Sequence, residues 1–339
     1  MVPRGLERLR GTDDPHHAER FLHTLLLPKT RTEQRLASAE ALSPTPSITE
    51  QWRDSRYAKV ETSISRDDVE QAVGVFRDFL ALPAETKVSI SIPGPQGRGK
   101  GSLGYVERTP ETDANETALG KDPEHKEYFH YHPSVEAQLP EEIRRAGGAA
   151  EKLIAQLRAL WIEMEAVAYR TIVALEAEHA GDPRYEGLTN RFFPDGITRG
   201  EPGLRHPKLT LRLMIYKKVD AEKLAANGHY DAGAFAFAVC ESAPGLMVGT
   251  QAVKDETGAV TTPEALTPVE RPDGTALFWP GTGFKNIDPT IPPTWHAVKQ
   301  HTKDEVKLGE ENRWVLVAFL NEFEEPGAPT IAETHGLRA

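Results

Sequence analysis

The stretch "GHYDAGAFAFAV", residues 228–239, places a histidine and an aspartate two positions apart before an apolar run rich in alanine and phenylalanine. In a β-strand, side chains at i and i+2 point to the same side. His229 and Asp231 are therefore predicted to converge on one point at the mouth of a strand, as two ligands of one metal ion must. The pair alone is weak evidence, because a histidine-x-acid pattern also occurs at residues 17–19 and 125–127.

Composition narrows the class of protein. The chain has 339 residues, 39% of them hydrophobic and 27% charged, with a formal net charge of -11. These values are typical of a soluble globular protein, and the acidic balance without a basic block argues against nucleic acid or an anionic membrane as partner. The single cysteine, Cys240, excludes an intrachain disulfide and suits a reducing cytoplasm. The run at 21–28 is too short to span a bilayer, so we expect a cytoplasmic, unanchored chain.

The first half of the chain has helical patterns. Residues 1–56 end in a Ser/Pro-rich stretch and are interpreted as an arm and linker. Residues 65–83 predict a helix with Ser65 as N-cap, and residues 141–179 predict a long helical region broken near Gly147. We therefore expect residues 57–204 to form a helical N-terminal region.

After residue 205 the pattern changes to short strands bounded by Gly, Pro and Asp. They lie at 208–219, 234–240, 245–253, 274–281 and 313–320. Helices followed by closely spaced strands favour an α+β protein with a β-sandwich or barrel as its second half. We place that core at residues 205–325, followed by a C-terminal tail at 326–339.

A third ligand is available in the strand-rich half. His296 lies in "PPTWHAVKQ", 65 residues after Asp231, and a long gap is what a jelly roll needs to bring two strands to one end of a barrel. Two histidines and one carboxylate form a facial triad that leaves one face of an iron(II) ion open. Arg313 opens the last apolar run, where an inward-facing arginine could pair bidentately with a carboxylate ligand.

Five short sequence motifs, taken in their order along the chain, resemble those of the isopenicillin N synthase-like family of non-haem Fe(II)- and 2-oxoglutarate-dependent oxygenases. The resemblance covers about residues 57 to 322 and implies a double-stranded β-helix (jelly roll) core with a helical N-terminal region packed on it. The matching pieces are "RLMIY" (212–216), "HYDAG" (229–233), "GLMV" (245–248), "WHAV" (295–298) and "RWVLVAF" (313–319).

The resemblance implies a site and a reaction. His229, Asp231 and His296 would bind Fe(II), while Arg313 and Tyr216 would hold the distal carboxylate of 2-oxoglutarate. With O2, such a dioxygenase releases succinate and CO2 and hydroxylates, desaturates or cyclises its substrate. For this chain we expect a small-molecule metabolite, in specialised metabolism.

The N-terminal segment caps the barrel in that family, which suggests where substrate binds. The glycine-rich stretch 91–105 does not meet the GxxxxGK[ST] phosphate-loop pattern and is interpreted as a flexible connection or active-site flap. The polar and aromatic stretch 125–132 is interpreted as a strand near the active-site rim. From these stretches we select Tyr105, Lys126 and Tyr128 as candidate substrate contacts.

Three departures from the family pattern keep alternatives open. Val315 stands where the family usually has a serine, and Met214 stands where it usually has an asparagine. The segment 299–312 lengthens the gap before Arg313 and contains His301, a fallback third ligand. The alternatives are an iron oxidase of the same fold that does not use 2-oxoglutarate, and a cupin-like metal-binding protein without redox chemistry.

Overall fold

The computed structural model describes residues 46–94, 102–106, 126–194, 206–216, 224–249, 267–299 and 313–323, and the following concerns these residues. The helices are α1 (Ile48–Ser55), α2 (Arg66–Leu80), α3 (Ala84–Ser89), α4 (Ser134–Gln138), α5 (Pro140–Ala146), α6 (Gly148–Glu178) and α7 (Leu188–Phe192), and a 3-10 helix spans Thr282–Asn286. The strands are β1 (Ala58–Glu61), β2 (Ser91–Ile92), β3 (Leu103–Val106), β4 (Lys126–Tyr131), β5 (Leu209–Tyr216), β6 (Leu224–His229), β7 (Phe235–Glu241), β8 (Leu246–Gly249), β9 (Thr267–Pro268), β10 (Thr275–Pro280), β11 (Trp295–Lys299) and β12 (Arg313–Leu320).

Local sequence signals explain the two main helices. Ser65 caps α2 through a capping box with Asp68, in which each side chain accepts a hydrogen bond from the other residue's backbone N–H. The expected break in the second helical region separates α5 from α6 at Gly147, whose φ of 80° lies in the region that favours glycine. Across the described residues, no helix combines the length and the apolar character that a membrane span requires.

The strands form two antiparallel sheets in the described part of the chain. The larger sheet has the order β1-β10-β7-β12-β5-β4-β3-β2, and the smaller has the order β6-β11-β8-β9. From β5 to β12 the chain passes repeatedly between the sheets: β5, β7, β10 and β12 belong to the larger, and β6, β8, β9 and β11 to the smaller. This alternation is that of a double-stranded β-helix.

Strand alternation divides the core into two clusters. On β7, Phe235 and Phe237 belong to a cluster that the larger sheet shares with the helices, which we call the helix-side cluster. Ala236 and Ala238 of the same strand face a second cluster, which contains residues of both sheets. The interior between the sheets is therefore lined partly by small side chains, which leave room for a cavity.

Two parts of the structure differ from the sequence interpretation. Residues 46–56, assigned to the linker, include helix α1, whose Trp52 is 2% exposed and donates a hydrogen bond to the Phe278 carbonyl oxygen. The N-terminal region expected to be helical also contributes β1 to one edge of the larger sheet and β2, β3 and β4 to the other. Burial of Trp52 explains the first difference, since a linker composition does not exclude one anchoring aromatic side chain.

Candidate metal centre and cavity

The three predicted metal ligands come together at one end of the space between the sheets. His229 is the last residue of β6, Asp231 lies in the loop before β7, and His296 is the second residue of β11. His296 stands directly opposite His229 in the β6–β11 pairing. One potential ligand atom from each residue lies within 4.8 Å of the other two.

The way in which Asp231 reaches this point differs from the expectation of one continuous strand. The structure ends β6 at His229, and β7 begins only at Phe235. The loop between them is tied to the 3-10 segment, where the Thr282 N–H donates to the Asp231 carbonyl oxygen over 2.8 Å. A Cβ on Gly281 would lie 2.2 Å from the Gly233 carbonyl oxygen, so glycine permits this close approach. The loop, not strand alternation, brings the carboxylate beside the histidines.

Hydrogen bonds orient the side chains toward a common point. Asp231 Oδ1 lies 3.7 Å from His229 Nε2, and Asp231 Oδ2 lies 3.7 Å from His296 Nε2. The indole Nε1 of Trp279 donates to Asp231 Oδ2 over 3.0 Å. His296 Nδ1 lies 3.2 Å from the Thr294 carbonyl oxygen, and because that oxygen can only accept a hydrogen bond, Nδ1 must carry the hydrogen and donate. That tautomer leaves the Nε2 lone pair of His296 directed at the site.

The donor set fits a divalent transition metal. Two ligand atoms at about 2.1 Å from one ion lie at most about 4.2 Å apart, and the 3.7 Å from the Nε2 atom of each histidine to an oxygen of Asp231 is within that limit. Asp231 and His296 are buried, while the His229 side chain is 43% exposed. Two imidazoles and one carboxylate leave further coordination positions for other ligands, which favours a catalytic iron site over a closed structural one.

A cavity of about 60 Å³ extends from this site between the two sheets. Strand register shows its direction, since β7 begins beside Leu320 of β12 and ends beside Val315. Asp231, which precedes β7, therefore lies toward the Leu320 end of β12, and Arg313 lies toward the other end. The side chains that line the cavity come from both sheets and include Lys126, Arg212, Met214, Tyr216, His229, Asp231, Glu241, Leu246, Trp279, His296, Arg313, Val315 and Phe319.

Arg313 is buried at the end of this cavity, and it has a protein counter-charge. The residue is 4% exposed, and its Nη2 forms an ion pair with the carboxylate of Glu241. Its Nε donates to the Ala243 carbonyl oxygen over 3.4 Å, and its guanidinium lies 5.2 Å from the centre of the Tyr216 ring. Nη1 is buried and has no hydrogen-bond partner within the described ranges. The sequence led us to expect a carboxylate ligand as the partner of Arg313, whereas the structure already supplies a counter-charge, Glu241.

Glu241 could not be selected from the sequence, because a β-bulge changes the side of β7 on which its side chain lies. The register between β12 and β7 shifts between Leu316 and Val317. Val239 and Cys240 consequently both belong to the helix-side cluster, and Glu241 lines the cavity. Strict alternation from Ala236 and Ala238 would have placed Cys240 in the cavity and Glu241 outside it.

Two of the three departures from the family pattern, Val315 and Met214, also line the cavity. Val315 stands two residues after Arg313 on β12, and Met214 stands two residues before Tyr216 on β5. Val315 is paired with both Met214 and Glu241 across its two neighbouring strands. The wall near Arg313 thus combines two apolar side chains with one added carboxylate.

The candidate substrate contacts separate by strand face. Lys126 lines the cavity, and Tyr128 packs against the cluster shared by the two sheets. Tyr105 instead belongs to the helix-side cluster, where its hydroxyl donates to Glu127 over 2.8 Å and its ring contacts Phe79. Tyr105 thus lies on the opposite face of the sheet from the cavity. The glycine-rich residues 95–101 lie outside the described residues.

The histidines of β4 and the turn after it are held by internal hydrogen bonds. His130 Nδ1 lies 2.7 Å from the Ser102 carbonyl oxygen, and His130 Nε2 accepts from Arg212 Nε. Burial and the Arg212 charge hold the pKa of His130 well below its usual range. Burial lowers the pKa of His132 to about 4. These rings are therefore neutral structural groups, and Arg212 is positioned at the cavity wall by one of them.

Among the described residues, the His229, Asp231 and His296 group is the one that meets the distances of a three-ligand metal site. Four other histidines lie outside the described residues: His16 and His17 in the N-terminal arm, His125 just before β4, and the fallback ligand His301. Trp279 and Thr294, which orient Asp231 and His296, were not selected from the sequence. Nothing in the sequence marked them, because the Trp279 indole and the Thr294 carbonyl reach the ligands only through contacts between segments that are distant in the sequence or through the local fold.

Comparison with known proteins gives a fold likeness. No family model and no curated protein matches the chain. A full-length protein of Neurospora crassa, solved in complex with alpha-KG, is 17% identical, with a TM-score of 0.53 over 80% of this chain and 76% of that one. JOX2 in complex with 2OG, Fe and JA is 15% identical, with a TM-score of 0.54 over 86% and 83%. The dioxygenase for auxin oxidation 1 of Arabidopsis thaliana, as a 2-oxoglutarate complex, is 13% identical, with a TM-score of 0.52 over 86% and 95%. At such identities these likenesses show the fold alone.

Proposed function

We propose that this chain is an Fe(II)- and 2-oxoglutarate-dependent oxygenase that acts on a small molecule. The observation that carries the proposal is the convergence of His229, Asp231 and His296 at the mouth of a jelly-roll cavity whose other end holds a buried arginine. The fold likeness supports it, since the Neurospora crassa protein was also solved with alpha-KG and thymine, and JOX2 with 2OG, Fe and JA.

The metal end of the cavity suits an open iron site. When bound, iron(II) with 2-oxoglutarate would supply oxidative chemistry from O2, with release of succinate and CO2. Trp279 fixes the carboxylate of Asp231, and the Thr294 carbonyl fixes the ring of His296. Such outer hydrogen bonds keep ligands oriented and raise their basicity.

The far end of the cavity suits the distal carboxylate of the cosubstrate. Arg313 Nη1 is a buried donor that lacks a partner within the described ranges, and such a donor is costly unless a ligand or water accepts from it. Tyr216 lies against the same guanidinium. We therefore assign Arg313 as the principal cosubstrate contact and Tyr216 as a positioning residue beside it.

One observation favours a second candidate, an iron oxidase of the same fold that does not use 2-oxoglutarate. The ion pair with Glu241 already compensates the charge of Arg313, and Val315 offers no hydroxyl to a carboxylate. An arginine that is balanced by the protein has a weaker need for an anionic cosubstrate. This candidate predicts O2 consumption without succinate.

Succinate release separates the candidates. The Fe(II)-loaded chain should consume 2-oxoglutarate and O2 and produce succinate, slowly without substrate and faster with the right member of a panel of small acids, amino acids and heterocycles. Asp231→Ala should abolish this, while Glu127→Gln, on the opposite face of the sheet, should not. O2 uptake that is independent of 2-oxoglutarate would favour the oxidase, and no O2 uptake with any substrate would favour a non-redox metal protein.

A further inference from the structure

The carboxylate of Glu241, beside Arg313, bears on the kind of 2-oxo acid that the cavity can bind. Glu241 comes from β7, the strand next to Arg313 on β12, and its side chain is 12% exposed. The β-bulge that turns Glu241 inward lies in the same stretch of pairing. A carboxylate is thus built into the wall where a ligand carboxylate would be received.

Three charged side chains among the described residues line the Arg313 end of the cavity. Arg313 and Lys126 are positive, and Glu241 is negative, while Arg212 and Asp231 lie toward the metal end. Lys126 stands opposite Tyr216 in the β4–β5 pairing, and Tyr216 stands opposite Arg313, so the two cations are two strands apart. The three groups formally carry one positive charge, and without the Glu241 charge they would carry two.

Geometry adds to the effect of charge. Glu241 occupies Nη2 of Arg313, and the Ala243 carbonyl occupies Nε. A fork of two parallel N–H donors is therefore not available on the Nε–Nη2 edge, and Nη1 is the guanidinium nitrogen that lacks a partner among the described residues. A carboxylate bound there would also lie close to the Glu241 carboxylate, and like charges in a partly buried site repel strongly.

We propose that Glu241 is a specificity-determining residue that lowers the preference of this cavity for a distal carboxylate, so that 2-oxo acids with an uncharged end bind nearly as well as 2-oxoglutarate. This inference rests on the proposed function, because it concerns the cosubstrate of that same site. Val315 acts in the same direction, since its isopropyl group favours an apolar ligand end over a charged one.

The test compares two ligands on several variants. Calorimetry on Zn(II)-loaded protein, which is redox-inert, measures the dissociation constants of 2-oxoglutarate and of 2-oxopentanoate, which has a methyl group in place of the distal carboxylate. The wild type should prefer 2-oxoglutarate by less than about tenfold, and Glu241→Gln should raise that preference by about tenfold or more. Glu241→Asp, which keeps the charge, should remain near the wild type.

Controls separate local charge from general effects. Glu127→Gln removes the same charge from the other face of the sheet, where Glu127 contacts Tyr105 and Lys87, and should leave the preference unchanged. If Glu241→Gln does not fold, as judged by thermal unfolding, Glu241→Ala provides the same comparison with the carboxylate removed altogether.

The outcomes distinguish this inference from the proposed function. Binding of 2-oxoglutarate to the wild type with an unchanged preference in the Glu241 variants would overturn the inference alone. Weaker 2-oxoglutarate binding in Glu241→Gln would also overturn it, because Glu241 would then serve to position Arg313. If only the Glu241 variants bind 2-oxoglutarate, the inference stands and the proposed cosubstrate of the wild type is wrong. If none of the proteins binds it, both are overturned.

Discussion

The hydrogen bond between Trp279 and Asp231 offers a sharp test of the metal centre, because Trp279 is not itself a ligand. Trp279 Nε1 donates to Asp231 Oδ2 over 3.0 Å, and the residue is 3% exposed. Trp279→Phe keeps an aromatic ring of smaller size and removes the donor. A hydrogen bond to a charged group contributes about 1.5–3 kcal/mol, which corresponds to about tenfold to 150-fold in an equilibrium constant.

Loss of an orienting partner typically weakens metal binding by about 10- to 100-fold, in agreement with that range. We therefore expect Trp279→Phe to raise the dissociation constant for Fe(II) by about one to two orders of magnitude. The measurement is anaerobic titration of Fe(II) in competition with a chromophoric chelator. Any activity should recover in part when Fe(II) is raised, because the ligands themselves remain.

Trp161→Phe is the matched control. Trp161 is also a buried tryptophan, and its Nε1 donates to the Leu209 carbonyl oxygen over 2.7 Å. It lies on α6, in the helix-side cluster. Both variants should lose stability, but only Trp279→Phe should lose metal affinity. Unchanged Fe(II) affinity in Trp279→Phe, or an equal loss in Trp161→Phe, would refute the role assigned to this hydrogen bond.

The remaining predictions concern the ligands, the cosubstrate, the strand contact and pH. Asp231→Ala should lose Fe(II) binding in the same titration, because two histidines without a carboxylate hold iron poorly; retained stoichiometric binding would contradict the triad. Arg313→Ala removes the donor and also leaves the Glu241 carboxylate unpaired beside the ligand, so it should raise the 2-oxoglutarate dissociation constant by about 100-fold in calorimetry while metal affinity survives; an unchanged constant would remove this residue from the cosubstrate site. Gly228→Ala would put a Cβ 2.5 Å from an indole carbon of the facing strand, so denaturant unfolding should show a loss of about 1–3 kcal/mol, whereas Gly74→Ala, with open space around it, should show none. His132 has its pKa lowered to about 4 by burial, so below pH of about 6.5 the unfolded chain takes up a proton that the folded chain does not. Its contribution, on the order of 3 kcal/mol, should be lost between about pH 6.5 and 4, and unfolding of His132→Gln should lack that part of the pH dependence.

Much of the secondary structure could be predicted because its signals are local. The capping residue Ser65 and the apolar spacing after it predict α2, and Gly147 predicts the break between α5 and α6. Helix caps and positive-φ glycines act within a few residues of chain, so their physics can be read from sequence alone. The apolar runs that became β7, β10 and β12 are recognisable for the same reason.

The candidate metal ligands were also accessible from sequence, but the geometry that joins them was not. His229, Asp231 and His296 could be selected by residue type and order. Their convergence requires the β6–β11 pairing and the loop tied to Gly281, which are contacts between segments far apart in the chain. Likewise, the position of Tyr105 behind the sheet depends on its pairing with Phe129, which sequence does not reveal.

Glu241 shows most clearly what only the tertiary structure decided. Residue type and alternation along β7 place its carboxylate outside the cavity, and a shift of one residue in the pairing with β12 places it inside, against Arg313. Because strand side chains repeat every two residues, a single bulge reverses every assignment beyond it. The sequence by itself therefore determined which residue types were available to the site and their order along the chain. The register between strands, which depends on packing across the whole sheet, decided which of them face one another.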